Sequence, residues 1–308
     1  MKARIVFLIL CCIWGSTWLF IKLGLRDLPP VTFAAARFLF ASSILFAIIK
    51  VRGVALPRGR GDWSLLLKTG VLSFALNYGL LFWGEQHISS GLAALLQATI
   101  PAFGMLIAHL YLPGERLDAR KMAGVLLGVV GVGIIFSNQL GSEGTRALAG
   151  SAAVVVGAAC AAWANVLVKA RGGKLDPAVL ALGQMVCGFV PLACFALAFE
   201  GDPSKMRWTG LAVVCLLYLT LVGSVAAFLL YYWLVRKVDV TKTMLIALVT
   251  PLAAVLLGMV TLDERLTWRT VAGGALIMSA VALVVLWRAR GPGAKVGAAD
   301  ATSTAAPE

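Results

Sequence analysis

The sequence predicts an all-α polytopic membrane protein, with ten transmembrane helices arranged as two inverted five-helix repeats. Three observations predict it. The 308 residues are 60% hydrophobic and only 13% charged, with a mean hydropathy of +0.92, whereas a soluble domain is about half apolar and about a quarter charged. Apolar stretches of about 20 residues, the length that crosses the hydrocarbon core, follow one another from end to end. The second half of the chain echoes the first at offsets of 147–150 residues.

Ten stretches qualify as spans: 5–25, 31–49, 64–84, 91–112, 121–137, 149–169, 178–199, 208–235, 240–262 and 268–287. Backbone groups in lipid must bond within their own segment, and these lengths suit helices rather than tilted strands. The first stretch follows Lys2 and Arg4 like a signal sequence, but it runs on to Leu25 without a small-residue cleavage site and reads as a retained helix. The spans form one membrane domain, 1–290, with repeat one at 5–137 and repeat two at 149–287. The tail 291–308, rich in Ala, Gly, Ser, Thr and Pro, reads as a disordered cytoplasmic segment.

The net charge of +13 does not point to nucleic acid, because the Lys and Arg residues lie between apolar segments rather than in one stripe. With the N-terminus inside, the inner segments hold 17 of them and the outer segments 6. This bias predicts that both termini are cytoplasmic. The six cysteines all fall in apolar runs without a Cys-x-x-Cys pair, and only two histidines accompany them. That pattern excludes the usual zinc spacing and reads as small buried hydrophobes.

The repetition rests on residues that do not match by accident of apolar composition. Trp83 and Pro101 match Trp233 and Pro251; Glu115-Arg116-Leu117 matches Glu264-Arg265-Leu266; Gly124 matches Gly273; Lys22 and Pro30 match Lys169 and Pro177. Five spans per copy is an odd number, so the second copy enters from the opposite face. Inverted repeats are a transporter architecture, because two related halves can exchange conformations to open a site to either side in turn.

These residues carry a more specific resemblance. Trp14-Gly15-Ser16-Thr17-Trp18 with Lys22, then Pro29-Pro30, Arg37-Phe38-Leu39, Glu85-Gln86-His87, Ser90-Gly91, Pro101 and Glu115-Arg116, are similar to the EamA-type permeases of the drug/metabolite transporter superfamily. Trp163, Lys169, Pro251 and Glu264-Arg265 repeat the pattern in the second copy, which departs from the first where Ala161-Ala162 replaces Trp14-Gly15 and Gln184 replaces Arg37. The resemblance covers about residues 5–287. It implies ten helices, cytoplasmic termini, a central cavity, and export of amino acids or other metabolites across a bacterial inner membrane.

Candidate transport residues follow from their cost in lipid. Pro101 and Pro251 fall near mid-span, where a missing amide donor kinks a helix and frees a carbonyl; they either shape the pathway or kink the packing. Trp14, Trp18 and Lys22 share one helix face, and Trp14 lies about 14 Å deep by helical rise, as a cavity wall or in helix packing. Tyr78, Gln97, Trp163 and Thr250, with Asn77 and Asn165, are polar or aromatic groups expected to face the interior. Asn77 and Tyr78, being adjacent, must point different ways. Arg37, six residues into its span, either snorkels or pairs with Glu85 as an outer gate or static pair. Lys22 and Lys169, near helix ends, are expected to snorkel. Gly124 and Gly128 form a Gly-x-x-x-Gly suited to close helix contact, within the monomer or in a dimer.

None of the fourteen acids lies near mid-span. Sites for hydrophobic cations usually employ an embedded carboxylate, so a neutral or zwitterionic solute fits better, held by amides, hydroxyls and aromatic faces. The expected function is a secondary transporter that exports small neutral or zwitterionic metabolites, amino acids or related compounds, by alternating access. The expected partners are a small-molecule substrate, membrane lipids and, through Glu85 or His87, protons. No cofactor, metal, catalytic residue or nucleic acid is expected, and monomer and homodimer both stay open. The alternatives are a membrane-embedded enzyme, which would need a nucleophile–base or metal constellation, and a lipid- or drug-handling membrane protein.

Overall fold

The structure, a computed structural model, describes residues 2–115, 117–140, 144–172, 175–235, 237–238 and 245–288. The tail 291–308, together with Arg116, Lys174, Arg236, Lys242 and Arg290 of the charge count, lies outside the described residues. Among the described residues ten helices follow in order: α1 (Lys2–Gly24), α2 (Pro30–Val51), α3 (Arg60–His87), α4 (Ser90–Tyr111), α5 (Ala119–Asn138), α6 (Gly144–Arg171), α7 (Pro177–Glu200), α8 (210–235), α9 (Ile246–Leu262) and α10 (Trp268–Arg288). Eight of them are long and apolar enough to cross a membrane, and Ile246–Leu262 and Trp268–Leu283 are shorter apolar helices. The chain is a multi-pass, all-α membrane protein. The expected span at 240–262 is described only from Ile246.

Helix starts obey local chemistry. Ser89, Asp118, Asp176 and Thr209 each turn a side-chain oxygen to a backbone N–H of the helix that follows. α2 begins at Pro29-Pro30, whose side chains offer no such acceptor, and borrows one from another helix, described below. π-helical stretches are found at Val71–Asn77 in α3, Tyr218–Ala226 in α8 and Ala196–Glu200 at the end of α7. The first two occupy equivalent positions in the two repeats. α4 breaks after Gln97 and restarts at Ile100, because Pro101 has no N–H for the Gln97 carbonyl. The Thr99 hydroxyl bonds the Leu96 carbonyl at the break (2.6 Å). α9 contains Pro251 and runs through it unbroken.

Helix contacts exchange when each helix is replaced by the one five places on. α1 packs on α8 and α9, and α6 packs on α3 and α4; α2 meets α7, α4 meets α9 and α5 meets α10 as self-paired partners. This is the pattern of a two-fold axis between halves. The α5–α10 crossing is close because Gly131 and Gly273 face each other's backbone: a Cβ at Gly131 would lie 2.6 Å from the Gly273 carbonyl oxygen. Gly124 and Gly128 line a small void of about 10 Å³ with Pro101, Ala102 and α10, so this Gly-x-x-x-Gly is used inside the monomer. The main core centres on α2, α3 and α7, with Phe33, Phe38, Phe82, Leu45 and Met185 nearly inaccessible. α1, α3, α5, α7 and α9 run from the near end, where α1 begins, to the far end, and the others return.

Candidate functional site

Halfway along the bundle lies a layer of buried polar side chains, built around the two π-helical stretches. A π turn widens the helix and interrupts its bonding ladder, and such bulges recur at functional sites. In α3 the stretch ends at Asn77 and sends neighbouring side chains to opposite sides. Asn77 faces α4 and α6, accepting a hydrogen bond from Gln97 Nε2 at 2.7 Å. Gly157 on α6 makes room for it, since a Cβ there would lie 3.0 Å from the Asn77 carbonyl oxygen. Tyr78 faces α2, stacking on Phe74 (5.7 Å) and meeting Phe38 edge-on (4.9 Å).

The Arg37 guanidinium lies over the Tyr78 ring at 5.2 Å and near the Phe38 ring at 5.5 Å. Arg37 is 3% exposed. Its Nε donates to Ser224 Oγ (3.0 Å), and Ser224 in turn donates to the Leu219 carbonyl (2.9 Å) within the α8 π stretch. No carboxylate lies within 4 Å of Arg37 among the described residues, and its Nη1 has no hydrogen-bond partner. Gln97 Oε1 and Thr220 Oγ1 are likewise buried and unpartnered. Unsatisfied polar atoms in a native interior are rare enough that each calls for an explanation, and here three fall in one layer. Beside them Ser16 Oγ bonds Tyr218 Oη (2.6 Å), with Phe20 stacked on Tyr218 at 3.8 Å.

Two expectations for charged residues are corrected. Arg37 neither snorkels nor pairs with Glu85: Ser224 and Tyr78 hold it inside. Glu85 is fully buried, both carboxylate oxygens lack a hydrogen-bond partner, and its charged neighbours are Lys22 and Glu264. Lys22 does not snorkel. Its Nζ turns inward to the carbonyls of Glu85 (2.5 Å) and Ile88 (2.6 Å), closing the C-terminus of α3. Lys169 does stay at its helix end, in an ion pair with Glu115.

The other candidate residues spread over the bundle. Trp14 packs against Tyr231 (5.4 Å) and Phe228 (6.2 Å) of α8, and Trp18 rests on the main core. Thr250 and Pro251 lie where α9 meets α1, closest at Gly15. Trp163 stands apart, 41% exposed and 5.6 Å from Tyr111. Sequence reasoning missed Tyr218, Thr220 and Ser224, and it had Ser16 only as part of the Trp14–Trp18 motif. Hydroxyl residues are common in membrane helices and bond their own backbone, so they give little signal alone.

A model of the EamA-like transporter family matches the chain twice, over residues 1–137 and 148–286. The chain belongs to that family. The two matches agree with the repeats read from Trp, Pro and Glu-Arg-Leu. An uncharacterized inner membrane transporter of Escherichia coli K12, YedA, is 30% identical over 275 residues, covering 89% of this transporter and 87% of YedA. An uncharacterized transporter of Bacillus subtilis strain 168, YoaV, is 28% identical over 265 residues, covering 86% and 90%. A solved crystal structure superposes with a TM-score of 0.66 over 94% of this chain and 98% of that one, at 20% identity; it shares the fold. The transporter therefore carries its buried polar layer in a twice-repeated family scaffold.

Proposed function

We propose that this transporter is a secondary carrier that exports small zwitterionic or neutral metabolites, amino acids or related compounds, across a bacterial inner membrane by alternating access. The observation that carries the reading is Arg37. A guanidinium remains charged at any physiological pH, and an uncompensated buried charge costs several kcal/mol. This one has a serine, two aromatic faces and a free Nη1, but no counter-ion among the described residues. A substrate carboxylate supplies the missing charge and the missing acceptor. Tyr78, which lies against the guanidinium, and Thr220, in the same α8 π stretch as Ser224, are uncharged and suit the rest of a small zwitterion. The pathway proposed here involves Trp14, Trp18, Tyr78, Gln97, Pro101, Thr250 and Pro251, with Arg37 as the anchor and Glu85 as a group for coupling or gating, while Trp163, 41% exposed and packed on Tyr111, stands outside it. Solute passes without chemical change. The near end, richer in Lys and Arg, faces the cytoplasm with both termini.

The test is counterflow in liposomes holding the purified full chain, with a panel of labelled L-amino acids and their carboxamides as paired probes. Amino acids are expected to exchange and their amides to do so at least about tenfold more slowly. Arg37→Gln should remove that preference, and Trp14→Ala or Gln97→Ala should lower flux by more than the accompanying loss of thermal stability explains. Equal exchange of acids and amides by the unaltered protein would overturn the role of Arg37, and no flux of any solute would overturn the carrier reading. A C-terminal reporter active only in the periplasm should stay silent; strong activity would reverse the orientation.

A further inference from the structure

A cavity of about 330 Å³ lies away from the polar layer, in the near half of the bundle between α2, α3 and α7. Phe46, Trp63 and Val186 form its rim and are each about two-fifths exposed, while Leu66 and Leu182 form its buried floor. The cavity thus opens sideways from the bundle, toward what would be hydrocarbon. The α7 wall runs from Val179 to Val186, about 10 Å of helical rise, so the groove extends through much of one leaflet, which is about 15 Å deep. At its near end it is closed by Leu56 and Pro57 of the α2–α3 link.

Its chemistry excludes a polar solute. The hydroxyls of Ser42 and Ser43, both in the wall, donate to the Leu39 carbonyl (3.0 and 2.8 Å). The Trp63 indole N–H donates to the Pro57 carbonyl at 3.0 Å. Each polar hydrogen of the wall is thereby used within the protein, and what remains is carbon. The residues carrying Arg37, Asn77 and Gln97 contribute nothing to it.

Four cations stand at its near end. Lys50 closes α2, Arg52 and Arg58 lie in the link on either side of Leu56 and Pro57, and Arg60 opens α3. All four are exposed, and Lys50 Nζ lies 5.6 Å from the ring of Phe46 on the rim. No acid pairs with them within 4 Å among the described residues. An apolar slot one leaflet deep, topped by four basic side chains at headgroup level, complements one molecule type: a tail in the slot and an anion above it. We propose that this groove binds an anionic diacyl phospholipid, with one acyl chain between α2, α3 and α7 and the phosphate on the basic 50–60 link. Clusters of Lys and Arg beside a membrane helix attract anionic lipid by charge, and here the groove adds a fixed seat for the chain. The inference does not rest on the transported solute.

The test is native mass spectrometry of the purified full chain titrated with dioleoyl phosphatidylglycerol or dioleoyl phosphatidylcholine. The anionic lipid is expected to bind at least about fivefold more tightly. Replacing Arg52, Arg58 and Arg60 together by Gln should bring it down to the level of the neutral lipid. Val186→Trp, or Ser43→Phe as a second filling variant, should weaken both lipids, with the melting temperature as the folding control. Equal binding of the two lipids, a preference that survives the triple replacement, or unchanged binding in a folded filling variant would each overturn the proposal.

Discussion

The two ends of the transporter are held together by different chemistry. At the far end, carboxylates reach across the bundle to backbone N–H groups at helix starts. Glu200, the last residue of α7, accepts from Val31 N (2.9 Å), Thr32 N (2.7 Å) and Thr32 Oγ1 (2.8 Å), supplying the cap that Pro29 cannot. Glu264 accepts from Ser90 N (2.8 Å), Ser90 Oγ (2.9 Å) and Gly91 N (3.2 Å) at the start of α4. Asp27 accepts from Thr209 Oγ1 at 2.6 Å, and Lys22 closes α3. At the near end, among the described residues, the corresponding contact is an ion pair between side chains: Glu115 with Lys169 and Lys121. The first kind ties orphaned backbone groups of one helix to a distant segment, with a favourable helix dipole. The second is one-third to one-half exposed and exchanges readily for water. Among the described residues the far-end contacts are the costlier to break, and we infer for the cycle proposed above that the near end opens first.

The largest effect is expected at Glu264. Ser90 is fully buried, so Glu264→Ala leaves its N–H and hydroxyl without their protein partner. Three charge-assisted bonds are lost together, at a cost of roughly 3 kcal/mol. The melting temperature in detergent should fall by several degrees, with Glu264→Gln intermediate. An unchanged melting temperature in Glu264→Ala would mean that the far end is not clasped at this point.

Glu200→Ala should cost somewhat less, about 2 kcal/mol, because its partners Val31 and Thr32 are 7% and 4% exposed where Ser90 is fully buried. Hydrogen exchange gives the sharper reading: the amides of Val31 and Thr32 should exchange faster while those of Ser90 and Gly91 keep their protection. Loosening of both pairs together would show that the far end acts as one cooperative unit rather than as separate caps.

Asp27→Asn should follow, at about 1 kcal/mol. The amide keeps an acceptor for Thr209 but loses the charge, and Arg207, 4.0 Å away and 81% exposed, adds little. A loss in melting temperature as large as that of Glu264→Ala would contradict the ranking by burial.

This contrast explains which parts were legible in the sequence. The spans were, because lipid demands long apolar runs whatever the tertiary packing. The two repeats were, because Pro101 with Pro251 and Glu115 with Glu264 mark equivalent positions directly. Arg37 stood out as the charge inside a span, but its direction did not, since Ser224 lies 187 residues away. Glu200 and Glu264 read as ordinary acids at span ends, because a borrowed cap depends on which helix starts nearby. The π stretches left no trace, as a shift in helical period cannot be seen where nearly every residue is apolar. Lys22 shares a face with Trp14 and Trp18 and sits near a helix end, so outward snorkelling was the natural expectation; the carbonyls of α3 that turn it inward belong to a different span.

The smallest effect is expected at the near end. Glu115→Gln removes the charge that faces Lys169 and Lys121, but both lysines are at least one-third exposed and hydrate at little cost. Exposed pairs of this kind contribute about 0.2–1 kcal/mol, and salt screens them further. The melting temperature should therefore move by no more than about 1 °C, and the difference from the unaltered protein should vanish in about 0.5 M salt. The Glu264 effect should persist in the same salt, because its partners are buried backbone groups that salt does not screen. If Glu115→Gln instead destabilised the transporter as strongly as Glu264→Ala, and did so at high salt, the near end would be clasped as firmly as the far end, and the order of opening inferred from the two ends would be wrong.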